Sequence, residues 1–148
     1  MQNELQIEVM LDEHALMPTK AHEPDAGFDL YIPESTEPHK LVVRPGDSTV
    51  IDTGVHMAIP HGYTGFLKSK SGLNIKADLN GEGVVDADYL GSIVVKLYNH
   101  GHQTHYFKPK DKLIQIVVLP IPKVTLNQVT EFKKTTERGE NGFGSSGR

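Results

Sequence analysis

Cysteine and tryptophan are both missing from the 148 residues. Without cysteine there are no disulfides, no thiolate metal ligands and no cysteine nucleophile; the absence suits a reducing compartment. Long apolar runs are missing too, and none approaches the roughly 18 to 20 residues of a membrane helix. Met1 to Met10 carries acidic residues and no basic cluster ahead of an apolar stretch, which excludes a secretory signal of the usual pattern. The expected location is the cytoplasm, with no membrane partner. Positive charge is also in short supply. The net charge is −4, so stable nucleic-acid binding is not expected and any polyanion site has to be local. Uninterrupted helix has little room, because 14 glycines and 9 prolines are scattered along the chain.

What remains is a series of short β-type segments. Leu5–Met10 alternates imperfectly, Leu41–Val43 runs into the turn signal Arg44-Pro45-Gly46-Asp47, and Val50-Ile51 ends at Asp52-Thr53-Gly54. His56–Ile59 ends at Pro60. Ile93–Tyr98 and Leu113–Leu119 are the strongest strand candidates, the second stopped by Pro120. Leu73–Leu79 has room for one or two helical turns, and Leu126–Lys133 reads as a short strand or an extended arm. Many short strands at close spacing predict a single all-β domain, a sandwich or barrel, over residues 1–136. The Gly/Ser-rich end, 137–148, is expected to be mobile on its own.

Several segments carry chemistry-bearing side chains, each with an ordinary structural reading beside it. The C-terminal Arg138-Gly139-Glu140-Asn141-Gly142-Phe143-Gly144-Ser145-Ser146 offers free N–H groups, hydroxyls, a guanidinium and a stacking face; otherwise it is a disordered tail. It lacks the Gly-Lys-[Ser/Thr] of a P-loop. Lys68-Ser69-Lys70-Ser71-Gly72 is a phosphate cradle or a solvated turn. In Gly83-Val84-Val85-Asp86-Ala87-Asp88-Tyr89-Leu90-Gly91, two carboxylates share a face if the chain is extended, and one could activate water; otherwise this is an exposed hairpin. Asp25-Ala26-Gly27-Phe28-Asp29-Leu30 has the same two readings. His100, His102 and His105 have a chelating spacing, but they fall between strand candidates, where a loop is expected.

The order of these segments is more informative than any one of them. Asp25–Leu30, Thr53–Pro60, Ser69–Leu73, Gly83–Gly91, Lys112–Gln115 and Arg138–Ser145 follow one another in a pattern that resembles the trimeric, all-β deoxyuridine triphosphatase (dUTPase) family over nearly the whole chain. The resemblance implies a jelly-roll-like β-sandwich of the β-clip type. It also implies a homotrimer with active sites between subunits, and a C-terminal arm closing over a neighbour's site. The reaction implied is hydrolysis of dUTP to dUMP and pyrophosphate by water attack at the α-phosphorus, which keeps uracil out of DNA and supplies dUMP for thymidylate synthesis.

By the same resemblance Asp86 holds the attacking water and Tyr89 packs against the deoxyribose. Asn80, Gly83, Val84, Val85 and Val94 form the uracil slot. Lys70, Ser71, Gly72 and Gln115 contact phosphates. Arg138, Gly144, Ser145 and Ser146 grip the distal phosphates while Phe143 stacks on uracil. Mg²⁺ is the implied cofactor, held mainly by phosphates and water with Asp29 in its outer shell. Lys70 and Lys112 stand where the family usually has arginine, keeping the charge without the bidentate fork, and Asn74 replaces a usual alanine. The nearest alternative enzyme is a dCTP deaminase, whose proton-shuttling glutamate has no counterpart in Gly91–Asn99. A non-catalytic nucleotide sensor on the same scaffold is the alternative of another class; it would be expected to lack Asp86 or the arm.

Overall fold

The computed structural model describes residues 4–144, 146 and 147. The strands are β1 (Val9–Leu11), β2 (Gly27–Tyr31), β3 (Val42–Val43), β4 (Ser48–Asp52), β5 (Val55–Met57), β6 (Tyr63–Lys68), β7 (Leu79–Asn80), β8 (Glu82–Val85), β9 (Val94–Asn99), β10 (His105–Tyr106) and β11 (Lys112–Pro120). Among the described residues one α-helix, α1 (Ser71–Ala77), and one 3-10 turn (Pro38–Leu41) interrupt them. A four-stranded sheet has the order β2-β11-β6-β8 and a three-stranded sheet the order β4-β9-β7; β1-β5 and β10-β3 form ribbons, and every pair is antiparallel. This is the expected all-β, jelly-roll-like sandwich.

Both sheets contribute to one core. Leu30, Leu67, Val85, Ile114 and Ile116 come from the first sheet; Ile51, Leu79, Val95 and Leu97 come from the second. The period-2 rule orders β9 cleanly, with Val95, Leu97 and Asn99 inward and Val94, Lys96 and Tyr98 outward. Antiparallel strands with one wet face require that alternation.

Two strands were hidden in the sequence by glycine. In β6 a Cβ on Gly65 would lie 2.9 Å from both Ile116 Cδ1 and Ile59 Cδ1, so the missing side chain makes room for two isoleucines. In β2 the same space beside Gly27 is filled by the Gln115 side chain. A glycine inside a strand marks such a close approach. The Asp25–Leu30 segment is no exposed hairpin; it contains most of β2, an edge strand whose Asp29 and Leu30 are nonetheless buried. As expected, β11 ends at Pro120, its last residue, which pairs with Tyr63. The N-terminal strand starts later than expected, at Val9. Leu79 belongs to β7, with α1 ending at Ala77. Leu126–Lys133 forms no strand, and every described residue from 119 onward is exposed.

Buried polar groups are few and fully engaged. Asn99, 1% exposed, donates from Nδ2 to the carbonyls of Val43 and Gln103, both at 2.8 Å, and its Oδ1 accepts from Gly101 N at 2.9 Å. It fastens β9 to β3 and to the loop that carries His100. Asn99→Ala would strand two carbonyls and one N–H, and an unsatisfied buried group costs about 1–3 kcal/mol. The expected result in urea unfolding is a loss of about 2–3 kcal/mol, against almost none for Asn74→Ala on the exposed helix.

Candidate active site

The fold places the marked residues in two groups, at opposite ends of one ladder. Val85 pairs with Gly65 and Glu82 with Lys68. Asp86 therefore leaves one end of the β6-β8 ladder and Ser69 leaves the other. Five residue steps separate them, about 16 Å at ~3.3 Å per residue.

The first group lies where β2, β6 and β11 meet. Gln115 on β11 is opposite Asp29 on one side and Lys68 on the other. Its Nε2 donates to Ser69 O at 3.1 Å, and Ser69 Oγ is bonded to Gly81 N at 3.0 Å and Gly81 O at 3.2 Å. The turn ahead of α1 is thus tied to both neighbouring strands. Lys70 is the residue preceding α1, and Ser71 and Gly72 open its exposed first turn, whose N–H groups have no helical acceptors. Lys70 Nζ bonds Asp29 Oδ1, and Lys112 Nζ lies 3.2 Å from Asp29 Oδ2. The Asp29 side chain is 5% exposed, and the two lysines 26% and 44%. A buried carboxylate needs such partners, and the hydrogen bond from Lys112 to Asp29 raises the lysine's pKa. Two point charges thus converge on one anchor. Sequence reading flagged all three residues but not their convergence; the signal was a lone acid on an apolar strand.

The second group is the turn after β8. Asp86, Asp88 and Tyr89 are exposed. The two carboxylates do not share a face: Tyr89 N donates to Asp86 O at 3.3 Å, and Asp88 is left-handed at φ 68°, so the chain turns where an extended strand would have aligned them. Asp88 is held by His61, whose pKa that carboxylate raises. Asp86 has no side-chain partner among the described residues. Tyr89 folds back on Gly91, where an added Cβ would lie 2.6 Å from Cζ, and its hydroxyl donates to Ser92 O at 2.8 Å.

At the Ser69 end of the ladder an open cavity of about 300 Å³ is lined by Asn80, Gly81, Glu82, Tyr98 and His100. Asn80 Oδ1 is bonded to His100 Nε2 at 2.8 Å, and Tyr98 stacks on His100 at 5.9 Å. The tightest backbone approach falls at Gly81, which the sequence reading passed over: a Cβ would sit 2.6 Å from Lys96 O. At Gly83 it would meet only the Leu67 side chain, from 3.0 Å. Val84 and Val94 are exposed and Val85 is buried.

Phe143 is fully exposed. Arg138 Nε donates to Asn141 O at 2.9 Å within a local turn, and Gly144 has φ 80°. Among the described residues none of these makes a side-chain hydrogen bond to either group. Ser146 is exposed, and the expectation for Ser145 lies outside the described residues. Of the three spaced histidines, His100 is taken up by Asn80 and Tyr98. His105 packs edge-on against Phe107 at 4.4 Å, and burial pushes its pKa down. Among the described residues no group of three or more His, Asp or Glu side chains could hold a metal ion, and no helix is long and apolar enough to cross a membrane.

A dUTPase family model matches residues 13–147. The deoxyuridine 5'-triphosphate nucleotidohydrolase of Syntrophotalea carbinolica is 36% identical over 140 residues, covering 93% of this chain and 92% of its own. The dUTPase of Staphylococcus bacteriophage 80alpha, solved with dUpNHpp, superposes with a TM-score of 0.85 at 31% identity, over 97% of this chain and 99% of its own. A mutant dUTPase from phage phi11 of S. aureus, described for its coordination of a structural Mg(II) ion, has a TM-score of 0.77 at 30% identity, over 88% and 100%. With a family model spanning the site motifs and relatives alike from end to end, the chain belongs to the dUTPase family.

Proposed function

We propose that this protein hydrolyses dUTP to dUMP and pyrophosphate in the cytoplasm, at sites shared between the subunits of a homotrimer. The observation that carries the reading is the division of the site motifs into two groups about 16 Å apart along one ladder. Both have the expected chemistry, and a second copy would bring one against the other. Family membership supplies the reaction class.

Asp86, exposed beyond β8, holds a water and takes its proton as the oxygen attacks the α-phosphorus. The bond from the α-phosphorus to the bridging oxygen breaks, and pyrophosphate leaves with the electron pair. Lys70, Lys112, Ser71 and Gly72 meet its growing charge, which electrostatic preorganisation stabilises most where water is excluded. Lys70 and Lys112 reach the phosphates already held by Asp29, so less side-chain entropy is lost on binding. Gln115 holds the Ser69 carbonyl and so fixes the turn. Asn80, Gly83, Val84, Val85 and Val94 take the uracil, and Tyr89, stacked on Gly91, closes the space beside C2′ of the sugar. Arg138, Phe143, Gly144, Ser145 and Ser146 complete the site as an arm from another subunit.

The donor set fits Mg²⁺. Among the described residues no protein cage stands ready, and Mg²⁺ needs none, since it keeps several waters and binds phosphate oxygens. Asp29 is the carboxylate beside the phosphate motif, and its remaining lone pairs can accept from the ion's waters. The ion supplies charge neutralisation along the triphosphate.

The test is pyrophosphate release from dUTP, dTTP, dCTP and UTP, side by side with Mg²⁺. Release from dUTP at least about 100-fold above the others is expected, since a site built around a polar edge rejects mismatches by large factors. Tight dUTP binding without release would give the sensor reading, and ammonia from dCTP the deaminase reading.

A further inference from the structure

Leu90–Ile93, the segment behind Tyr89, is fastened to the 52–56 segment at several points. Ile93 N donates to Val55 O at 2.9 Å and Thr53 N to Ile93 O at 3.0 Å. Thr53 Oγ1 donates to the same oxygen at 2.7 Å. Ser92 Oγ donates to Asp52 Oδ1, which also caps Gly54 N at 2.9 Å. The remaining point is His56 on β5. Its Nδ1 lies 2.6 Å from Leu90 O and its Nε2 2.9 Å from Asp12 Oδ1.

A backbone carbonyl only accepts a hydrogen bond, and so does an ionised carboxylate. Both ring nitrogens therefore have to donate, which only the imidazolium can do. The neutral ring, with one N–H, can keep one contact and turns a lone pair on the other. The charged groups that face the ring are Asp12, following β1, and Asp52, at the end of β4.

We propose that imidazolium His56 is a positioning residue that holds the Leu90 carbonyl, and through it Tyr89, so that the site discriminates deoxyribose from ribose. The inference rests on Tyr89 being the sugar wall. Leu90 is the residue between Tyr89 and Gly91, on whose bare α-carbon the ring lies. A displaced Leu90 carbonyl shifts that platform, and the wall loosens. Asp12, His56 and Leu90 are far apart in the chain, and only the fold brings them together.

The sign of the pH dependence follows from the two acceptors. The Leu90 carbonyl and the Asp12 carboxylate raise the pKa of His56 above its ordinary value. The double contact is complete below about 6.5, the unperturbed histidine pKa, and is lost as pH rises through the higher folded value.

The experiment measures kcat and KM for dUTP and UTP between pH 5.5 and 9. His56→Ala, His56→Lys and Tyr89→Ala are compared with the unaltered protein, and the His56 ring nitrogens are titrated by NMR. The ratio of kcat/KM for dUTP over UTP is expected to fall about tenfold at high pH, the scale of losing one hydrogen bond from a charged donor. His56→Ala should show the low ratio at every pH. His56→Lys, with donors and a charge throughout the range, should hold an intermediate or high ratio without the pH step. The ring should titrate above 6.5. A ring titrating below that value overturns the proposal, as does a His56→Ala ratio equal to that of the unaltered protein while Tyr89→Ala loses discrimination. If Tyr89→Ala itself discriminates normally, the sugar-wall reading falls and takes this inference with it, whatever the ring titration shows.

Discussion

Asp86→Asn is expected to lower kcat for dUTP by about 10²–10⁴-fold, the range for removing a positioned general base. Binding of dUTP should change by no more than a few-fold. Asparagine has nearly the same shape and can still hold a water, but it cannot take the proton. Asp86 is exposed and follows the last paired residue of β8, so the fold should not register the change and the melting temperature should stay within a degree or two. Asp88→Asn is the matched control. Its carboxylate is occupied by His61 on the neighbouring turn, and its loss should cost far less turnover. Single-turnover hydrolysis and dUTP binding, measured on both variants, separate the cases. If Asp86→Asn turns over within tenfold of the unaltered protein, Asp86 is not the base. If Asp88→Asn is the inactive one, the roles of the two carboxylates are exchanged.

The contrast between these carboxylates shows where the sequence is legible. Asp86 and Asp88 look equivalent as an i, i+2 pair, and an extended chain would have made them so. The difference arises from the left-handed turn at Asp88 and from His61, 27 positions away. The strongest strands, β9 and β11, could be read from their apolar runs, because a half-buried antiparallel strand imposes alternation on its own sequence. β2 and β6 could not, since Gly27 and Gly65 weaken strand propensity locally to make room for Gln115 and Ile116 of β11 and for Ile59. Lys70 and Lys112 were visible as departures from a family pattern. Their shared anchor on Asp29 was not, because convergence of three charges on one point belongs to the sheet order β2-β11-β6 and to no single strand. In the same way Gly81 makes the closest approach to β9, yet only the folded backbone shows which glycine of Asn80–Gly83 meets the Lys96 carbonyl.

Removing residues 138–148 is expected to reduce turnover to near background and to leave the folded core intact. The two halves of this prediction have separate physical grounds. The core cluster draws its last members from β11, ending with Ile116 and the partly buried Val118, and every described residue beyond is exposed. Among the described residues the last main-chain tie into the body is Ile121 N to Gly62 O at 2.8 Å, well before the cut. Truncation therefore removes no buried apolar area, and unfolding should be unchanged within about 0.5 kcal/mol, as for surface changes in general. On the proposed reading, turnover depends on what the arm adds on closing: a stacking face from Phe143, donors for the distal phosphates, and exclusion of water. Stacking alone is worth about 1–3 kcal/mol per base in nucleic-acid binders, and a lost donor to a charged oxygen adds a similar amount. The truncated protein also permits a test of which subunit the arm serves. Mixed with the Asp86→Asn chain and reassembled from denaturant, two nearly inactive proteins should recover a measurable fraction of activity, because some sites would then pair an intact Asp86 with an intact arm from another chain. Full activity in the truncated protein alone would remove the arm from the mechanism. Recovery absent from a reassembled mixture, with each variant inactive alone, would place arm and base on the same chain.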